Sequence, residues 1–104
     1  MAWGLLILAG ILEIVWAYTM KLSKGFTLLV PSVLTIVLLI ASFALLAQAM
    51  KTIPLGTAYV IWTGIGAIGA FALGIFVLGE PVSMLRIIAG ILIVSGMLLM
   101  KLSS

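Results

Sequence analysis

Two acidic residues are present in the chain, and one of them, Glu13, lies in the middle of a long apolar stretch. A carboxylate at the centre of a membrane-spanning helix costs on the order of 2.5 kcal/mol or more, so such residues usually face a cavity or a partner. The nearest basic residue along the same stretch is Lys21, about two helical turns away. We therefore expect Glu13 to bind a cation. The alternative is a protonated carboxyl that links helices by hydrogen bonds.

Aromatic and small residues recur on the same helix faces as this acid. In the first apolar stretch, the residues at three- and four-residue spacing are Gly10, Glu13, Trp16 and Ala17. In the third stretch they are Tyr59, Trp62, Thr63 and Gly66, and Ser42 lies near the middle of the second. Such spacing puts each set on one face of a helix, and the small residues leave a concavity beside the acid.

The aromatic residues indicate which cation the concavity accepts. Buried Trp and Tyr side chains need hydrogen-bond partners, and a carboxylate accepts several such donors. Aromatic faces also attract cations, whereas a small metal ion needs several oxygen ligands. The pattern therefore favours an organic cation over a metal ion. Packing in the core or at the lipid interface is the alternative role for Trp16, Tyr59 and Trp62.

The composition of the chain indicates a membrane protein. Hydrophobic residues make up 66% of the sequence and charged residues 7%, against roughly 25% charged in a soluble domain. The absence of cysteine and histidine excludes disulfides, thiolate metal sites and thiol redox chemistry. We expect no metal ion, no cofactor and no nucleic-acid partner. Enzymatic activity is not expected either, because Glu13 has no nucleophile, metal ligand or phosphate-binding glycine loop beside it.

Four apolar stretches are long enough to cross a bilayer. Polar or turn-forming residues separate them, and the predicted helices cover residues 3–20, 28–50, 55–78 and 84–100. The short connections make consecutive helices antiparallel neighbours. The sequence thus predicts an all-α membrane protein with a single four-helix transmembrane domain over residues 1–104. The first stretch lacks a basic leader and carries Glu13, so we expect it to belong to the mature protein.

The basic residues barely distinguish the two sides of the membrane. Those on one side are Lys21, Lys24 and Arg86, and those on the other are Lys51 and Lys101. The positive-inside rule needs a clear bias to set orientation, so we expect the chain to insert both ways. Two oppositely inserted copies would supply the inverted halves that many secondary transporters use, with one Glu13 from each copy near the midplane.

A carboxylate shared by two ligands leads to a hypothesis about mechanism. If a proton and a cation compete for Glu13, their binding is mutually exclusive. Suppose that the dimer can switch its opening from one side of the membrane to the other only with a proton or a cation bound. It would then exchange inward-moving protons for exported cations. The residues therefore suggest a proton-coupled antiporter formed by an antiparallel homodimer.

Small residues in the third and fourth helices indicate movement and assembly. The hinge candidates in the third helix are Gly64, Gly66 and Gly69, for which plain close packing is the alternative role. The residues assigned to dimerisation in the fourth helix are Gly90, Ser95 and Gly96. The fourth helix has no charge in mid-span, so we expect it to serve assembly and not transport.

Over essentially its whole length the chain resembles the small multidrug resistance family. The third-helix segment that carries the resemblance is Pro54-Leu-Gly56-Thr-Ala58-Tyr59-Val-Ile-Trp62-Thr-Gly64-Ile-Gly66. The segments similar to the guanidinium-exporter subtype are Gly10-Ile-Leu-Glu13-Ile-Val-Trp16-Ala17, Lys51 before Ile53-Pro54, Trp62-Thr63-Gly64-Ile65-Gly66-Ala67, Gly79-Glu80 and Lys101. The drug-exporting subtype usually lacks the tryptophan that stands here as Trp16.

The resemblance implies an antiparallel homodimer that exchanges guanidinium for protons in the lipid of a bacterial inner (plasma) membrane. It implies that both copies of Glu13 bind substrate or protons, and that the residues holding the carboxylates by hydrogen bonds are Trp16, Ser42, Tyr59 and Trp62. It also implies dimerisation through the fourth helix. Guanidinium fits by its own chemistry as well, because its planar N–H groups can bond both oxygens of a carboxylate.

Three alternatives stay open. The segment Tyr18-Thr-Met20-Lys21 is more like the drug-exporting branch, and Leu99-Met100-Lys101 replaces a usual Gly-Leu-Lys ending. Both favour a broader exporter of hydrophobic or quaternary-ammonium cations. The near balance of charge also allows the chain to be one subunit of a paired heterodimeric exporter. A different class is a non-transporting accessory or channel-like membrane subunit.

Overall fold

The computed structural model describes residues 1–103, which fold into four α-helices. Helix α1 spans Ala2–Leu22, α2 spans Leu29–Ala49, α3 spans Leu55–Phe76 and α4 spans Met84–Ser103. At 1.5 Å per residue each helix is roughly 30–33 Å long, which matches the hydrocarbon core of a bilayer. All four are apolar enough to cross a membrane. These helices indicate a multi-pass membrane protein, and the predicted all-α architecture with four helices able to span a membrane is confirmed.

The observed helix ends differ from the predicted ones by no more than three residues. Helix α1 continues past residue 20 to Leu22, where the Ser23 hydroxyl donates to the Met20 carbonyl at 2.6 Å and accepts from the Phe26 N–H at 3.0 Å. Helix α3 stops at Phe76, two residues earlier than predicted, and the chain then turns through Gly79 at a φ of 70°. Glycine adopts such a positive φ readily because it has no Cβ atom.

The helices form one flat layer in the spatial order α2, α1, α3, α4. Helix α1 packs against both α2 and α3, whereas α4 packs mainly along α3. The layer measures 40 × 35 × 16 Å. It is therefore less than half as thick as it is long or wide. Both broad faces of the layer are open in the single chain.

The core lies at the end of the layer where α1, α2 and α3 meet. Its buried apolar residues are Leu6, Ala9, Leu46, Ala49, Ile53, Ala58, Ile61 and Trp62. At the other end a buried hydroxyl pair, Thr19 and Thr35, joins α1 to α2 at 2.6 Å. No described residue of α4 is buried. Its contacts near the core include the Lys101 ammonium, which lies 5.2 Å from the centre of the Trp3 ring.

Candidate functional site

Glu13 lies on the side of α1 that packs against α3. Its carboxyl group rests directly on Gly66, because a Cβ atom added to Gly66 would collide with Cδ and Oε1 of Glu13. The Glu13 carboxyl group therefore occupies the space on α3 that Gly66 leaves by having no side chain. Any larger residue at position 66 would displace the Glu13 side chain.

The same type of contact repeats along the interface, which we call the α1–α3 seam. The residues that define the seam are Gly10, Glu13 and Ile14 of α1 and Ile65, Gly66 and Gly69 of α3. Ile14 lies over Gly69, and Ile65 lies over Gly10, where an added Cβ would be 2.7 Å from Ile65 Cγ2. Large side chains of each helix thus fill the spaces above glycines of the other. The sequence analysis did not identify Ile14 and Ile65. Their positions directly next to Glu13 and Gly66 in the sequence could have pointed to them.

Two buried polar atoms of α1 have no hydrogen-bond partner among residues 1–103. They are Glu13 Oε1 and Trp16 Nε1, an acceptor and a donor one helical turn apart. A buried polar atom without a partner costs about 1–3 kcal/mol, so such atoms are rare outside functional sites. A ligand with N–H groups can donate a hydrogen bond to Glu13 Oε1, and a hydrogen-bond acceptor can bind Trp16 Nε1.

Ser42 and Trp62 bind each other instead of Glu13. The Trp62 indole N–H donates to Ser42 Oγ at 3.0 Å, and the Ser42 hydroxyl donates to the Ala9 carbonyl at 2.7 Å. Each side chain has a single proton to donate, so neither has one left for the carboxylate in this arrangement. The bonds from Ser42 and Trp62 to Glu13 that the resemblance implied are thus absent from the described chain.

This network still acts on the acid through the backbone. In a regular α-helix the Ala9 carbonyl also accepts the N–H of Glu13, four residues later. The chain of bonds from Trp62 through Ser42 to Ala9 therefore joins α3 and α2 to the turn of α1 that carries Glu13. We infer that it fixes where this turn lies.

Tyr59 and Thr63 make no hydrogen bond to Glu13 within the described residues. The Thr63 hydroxyl donates to the Tyr59 carbonyl at 2.8 Å, one turn back in the same helix. Tyr59 is 52% exposed, and the centre of its ring lies 5.7 Å from that of Trp62. The centre of the ring of Phe43, a residue of α2, lies 5.4 Å from that of the Trp62 ring. The three rings form an aromatic cluster on an open side of the layer. Phe43 was missed in the sequence, although it directly follows Ser42.

The glycines of α3 serve close packing in this conformation. Helix α3 is unbroken through Gly64, Gly66 and Gly69. Gly66 and Gly69 receive side chains from α1, and Gly64 receives the Met97 side chain from α4. These contacts favour the packing role over a hinge. Bending of α3 at these glycines stays a prediction.

The small residues of α4 divide between two surfaces. Gly90 faces α3, since an added Cβ would be 3.6 Å from the Phe71 ring, whereas a Cβ added to Gly96 would point into open space. Ser95 is exposed. Gly90 therefore takes part in packing within the chain, while Ser95 and Gly96 lie on an open surface. Dimerisation through these residues stays a prediction.

Removing the Ser42 hydroxyl is expected to loosen the contact between the three helices. In Ser42→Ala the buried Trp62 N–H loses its acceptor, which should lower the free energy of unfolding by about 0.5–2 kcal/mol. Unfolding by a denaturing detergent, followed by circular dichroism, measures this change. The matched control is Ser32→Ala, whose exposed hydroxyl bonds only its own helix. Equal stability of the two variants would contradict the expectation.

The sequence matches a known family and its curated members along its full length. The family described as Small Multidrug Resistance protein matches residues 1–103. The chain is 52% identical to the guanidinium exporter of Yersinia pseudotuberculosis over 104 residues, which is 100% of both chains. It is 52% identical to the guanidinium exporter of Salmonella typhimurium and 51% identical to that of Citrobacter freundii, covering 100% of this chain and 99% of each relative. The resemblance inferred from the sequence is confirmed.

Proposed function

Because the chain belongs to the small multidrug resistance family, we propose that it exports guanidinium in exchange for protons and that Glu13 binds both. The observation that carries this proposal is the buried Glu13 oxygen without a partner, held over Gly66 in the α1–α3 seam. Full-length relatives named guanidinium exporters, at 52% identity, support the choice of cation. The family and the names of these relatives indicate a transporter.

Guanidinium has the groups that the seam needs. Its planar N–H groups can donate to both oxygens of a carboxylate, and its charge balances that of Glu13. A proton bound to Glu13 removes the negative charge and one acceptor position at the same time. Proton and guanidinium therefore exclude each other at Glu13, which is the condition for exchange.

We further propose that two copies work together in opposite orientations. The single chain leaves many large apolar side chains exposed, and α4 contributes no buried residue. A second copy can cover these surfaces, with α4 as a contact. Opposite insertion would give the pair the inverted halves of a secondary transporter. The near balance of basic residues, three on one side and two on the other, favours this arrangement in a bacterial inner membrane.

Export of bulkier cations is the second candidate function. The aromatic cluster of Phe43, Tyr59 and Trp62 favours it, because the rings of Phe43 and Tyr59 are about half exposed. Exposed aromatic faces can hold a hydrophobic cation. Tighter binding of tetraphenylphosphonium than of guanidinium to the purified chain would favour this candidate.

The deciding experiment is guanidinium-driven proton movement in proteoliposomes that contain the purified chain alone. Proton movement in response to a guanidinium gradient would support a self-sufficient exchanger. Guanidinium flux that does not depend on the proton gradient would favour a channel. If guanidinium is transported only after a second, different chain is added, the result would favour a protein that works as one subunit of a heterodimer.

Guanidinium binding is expected to weaken as the pH falls. Protons compete for the same carboxylate, so the apparent Kd should rise by up to about tenfold per pH unit once the protonated form predominates. Equilibrium titration in detergent at constant ionic strength, followed by tryptophan fluorescence, measures this change. A Kd that does not vary between mildly acidic and alkaline pH would contradict competition at one site.

A further inference from the structure

Glu80, the second acid of the chain, is held against the last turns of α3. The connection between α3 and α4 reverses at Gly79, and the Glu80 N–H then donates to the Gly74 carbonyl at 2.8 Å. The Glu80 carboxyl group also rests on Gly74, where an added Cβ would collide with it. Backbone and side chain together therefore fix the position of this acid.

The Glu80 carboxyl group lines a cavity of about 150 Å³ between α1 and α3. Tyr18 and Lys21 of α1 are its other polar lining residues, and the rest of the lining is alanine, leucine and glycine. A water molecule occupies roughly 30 Å³ in the liquid, so the cavity has room for a small organic cation. The cavity is thus an opening at the membrane end of the α1–α3 interface, with one carboxylate in its wall.

Both acids of the chain lie along this one interface. Glu13 rests on Gly66 and Glu80 rests on Gly74, eight residues further along α3. Eight residues of α-helix span roughly 12 Å. Glu80 therefore lies about two helical turns from the level of Glu13, toward the membrane surface.

The charges at this end of the molecule make Glu80 distinctive. The basic residues on this side are Lys21, Lys24 and Arg86, and Glu80 is the one acid that accompanies them. Arg86 donates to the Pro81 carbonyl at 3.1 Å, close to Glu80 in sequence. An approaching cation is repelled by the basic residues and attracted by Glu80 alone, so the carboxylate marks where a cation can dock.

We propose that Glu80 is a second, outer cation-binding residue, at which guanidinium docks before it reaches Glu13. The inference rests on the proposed export function, which supplies guanidinium as the cargo. The Glu80 carboxylate would accept the guanidinium N–H groups, and the Tyr18 ring in the same cavity offers a face for stacking. In an oppositely oriented pair, each side of the membrane would have one such cavity.

The test is guanidinium transport by Glu80→Gln in proteoliposomes, measured against guanidinium concentration at low and at physiological ionic strength. The KM is expected to rise about threefold to tenfold, with a smaller effect on kcat. Raising the ionic strength should reduce the difference in KM between the variant and the wild type, because salt screens the docking charge that only the wild type has. Glu80→Asp keeps the charge and should recover most of the affinity.

Two further variants separate docking from folding. Gly74→Ala forces the Glu80 carboxyl group to shift while leaving its charge in place, so its KM should also rise. Lys24→Gln removes a charge from the same membrane side without lining the cavity, and its KM should stay within about twofold of wild type. If Glu80→Gln does not assemble, Lys21→Gln replaces it, and a lower KM is expected from the loss of repulsion.

The outcomes distinguish this inference from the proposed function. Suppose that the wild type transports guanidinium and that Glu80→Gln and Gly74→Ala have the same KM and salt dependence as the wild type. This result would overturn docking at Glu80 and leave the proposed export function intact. An unchanged KM in Lys21→Gln would count against it in the same way. No guanidinium transport by the wild-type chain would instead overturn the proposed function itself.

Discussion

Glu13→Gln is expected to abolish guanidinium-driven proton movement. Glutamine has nearly the size of the acid, but it has neither the negative charge nor a site for an exchangeable proton. Loss of one partner from a buried charge pair costs about 3–5 kcal/mol, so guanidinium binding should weaken on the order of 100-fold or more. Proton flux in proteoliposomes and binding of guanidinium in detergent measure the two effects separately.

Glu13→Asp is the control for this variant because it preserves the charge. We expect it to retain proton-coupled transport at a reduced rate, since the shorter side chain shifts the carboxyl group away from Gly66. Size-exclusion chromatography of both variants checks assembly. Undiminished exchange by Glu13→Gln would show that the proton and the cation use another site.

Gly66→Ala is expected to reduce transport at least about tenfold, although it adds only one methyl group. The new Cβ would occupy the position of the Glu13 carboxyl group, which must then leave the seam. Alanine favours helix over glycine by about 1 kcal/mol, so the variant should fold as a helix and fail in function. Guanidinium uptake and circular dichroism of the same preparation measure both expectations.

Two other glycines of α3 provide matched controls. Gly56→Ala meets no atom within 4 Å and should transport like the wild type. Gly69→Ala displaces Ile14 and leaves the carboxyl group of Glu13 untouched. It should therefore affect stability more than pH-dependent binding. Equal loss of transport in Gly66→Ala and Gly69→Ala would indicate that the seam matters only for helix packing.

The helices could be predicted from the sequence because each apolar stretch has the length of a bilayer core. Their ends could be predicted only to within a few residues. The extension of α1 to Leu22 depends on the Ser23 cap, and a serine in a polar connection has many possible partners. The short connections predicted that consecutive helices are neighbours, but α1 lies between α2 and α3 over most of their length. Helical periodicity gives a face for each helix and not its neighbour, so this order could not be predicted.

The residues of the site could be predicted more readily than their contacts. The spacing of Glu13 and Trp16 puts them on one face of α1, and both have a buried polar atom without a partner among residues 1–103. The contact of Glu13 with Gly66 depends on the register between α1 and α3, which no local pattern encodes. The same holds for Ser42, whose hydroxyl bonds the Ala9 carbonyl and the Trp62 indole. A list of hydrogen-bonding residue types does not indicate which pairs form.

The glycine contacts of the α1–α3 seam also limit how the molecule can move. Ile14 lies over Gly69 and Ile65 over Gly10, so side chains of each helix block sliding past the other. Packed interfaces of this kind rearrange in discrete steps and resist small continuous shifts. We expect α1 and α3 to behave as one rigid body. Amide hydrogen exchange should then be slowest in these two helices and fastest in α4 and the connection that leads to it.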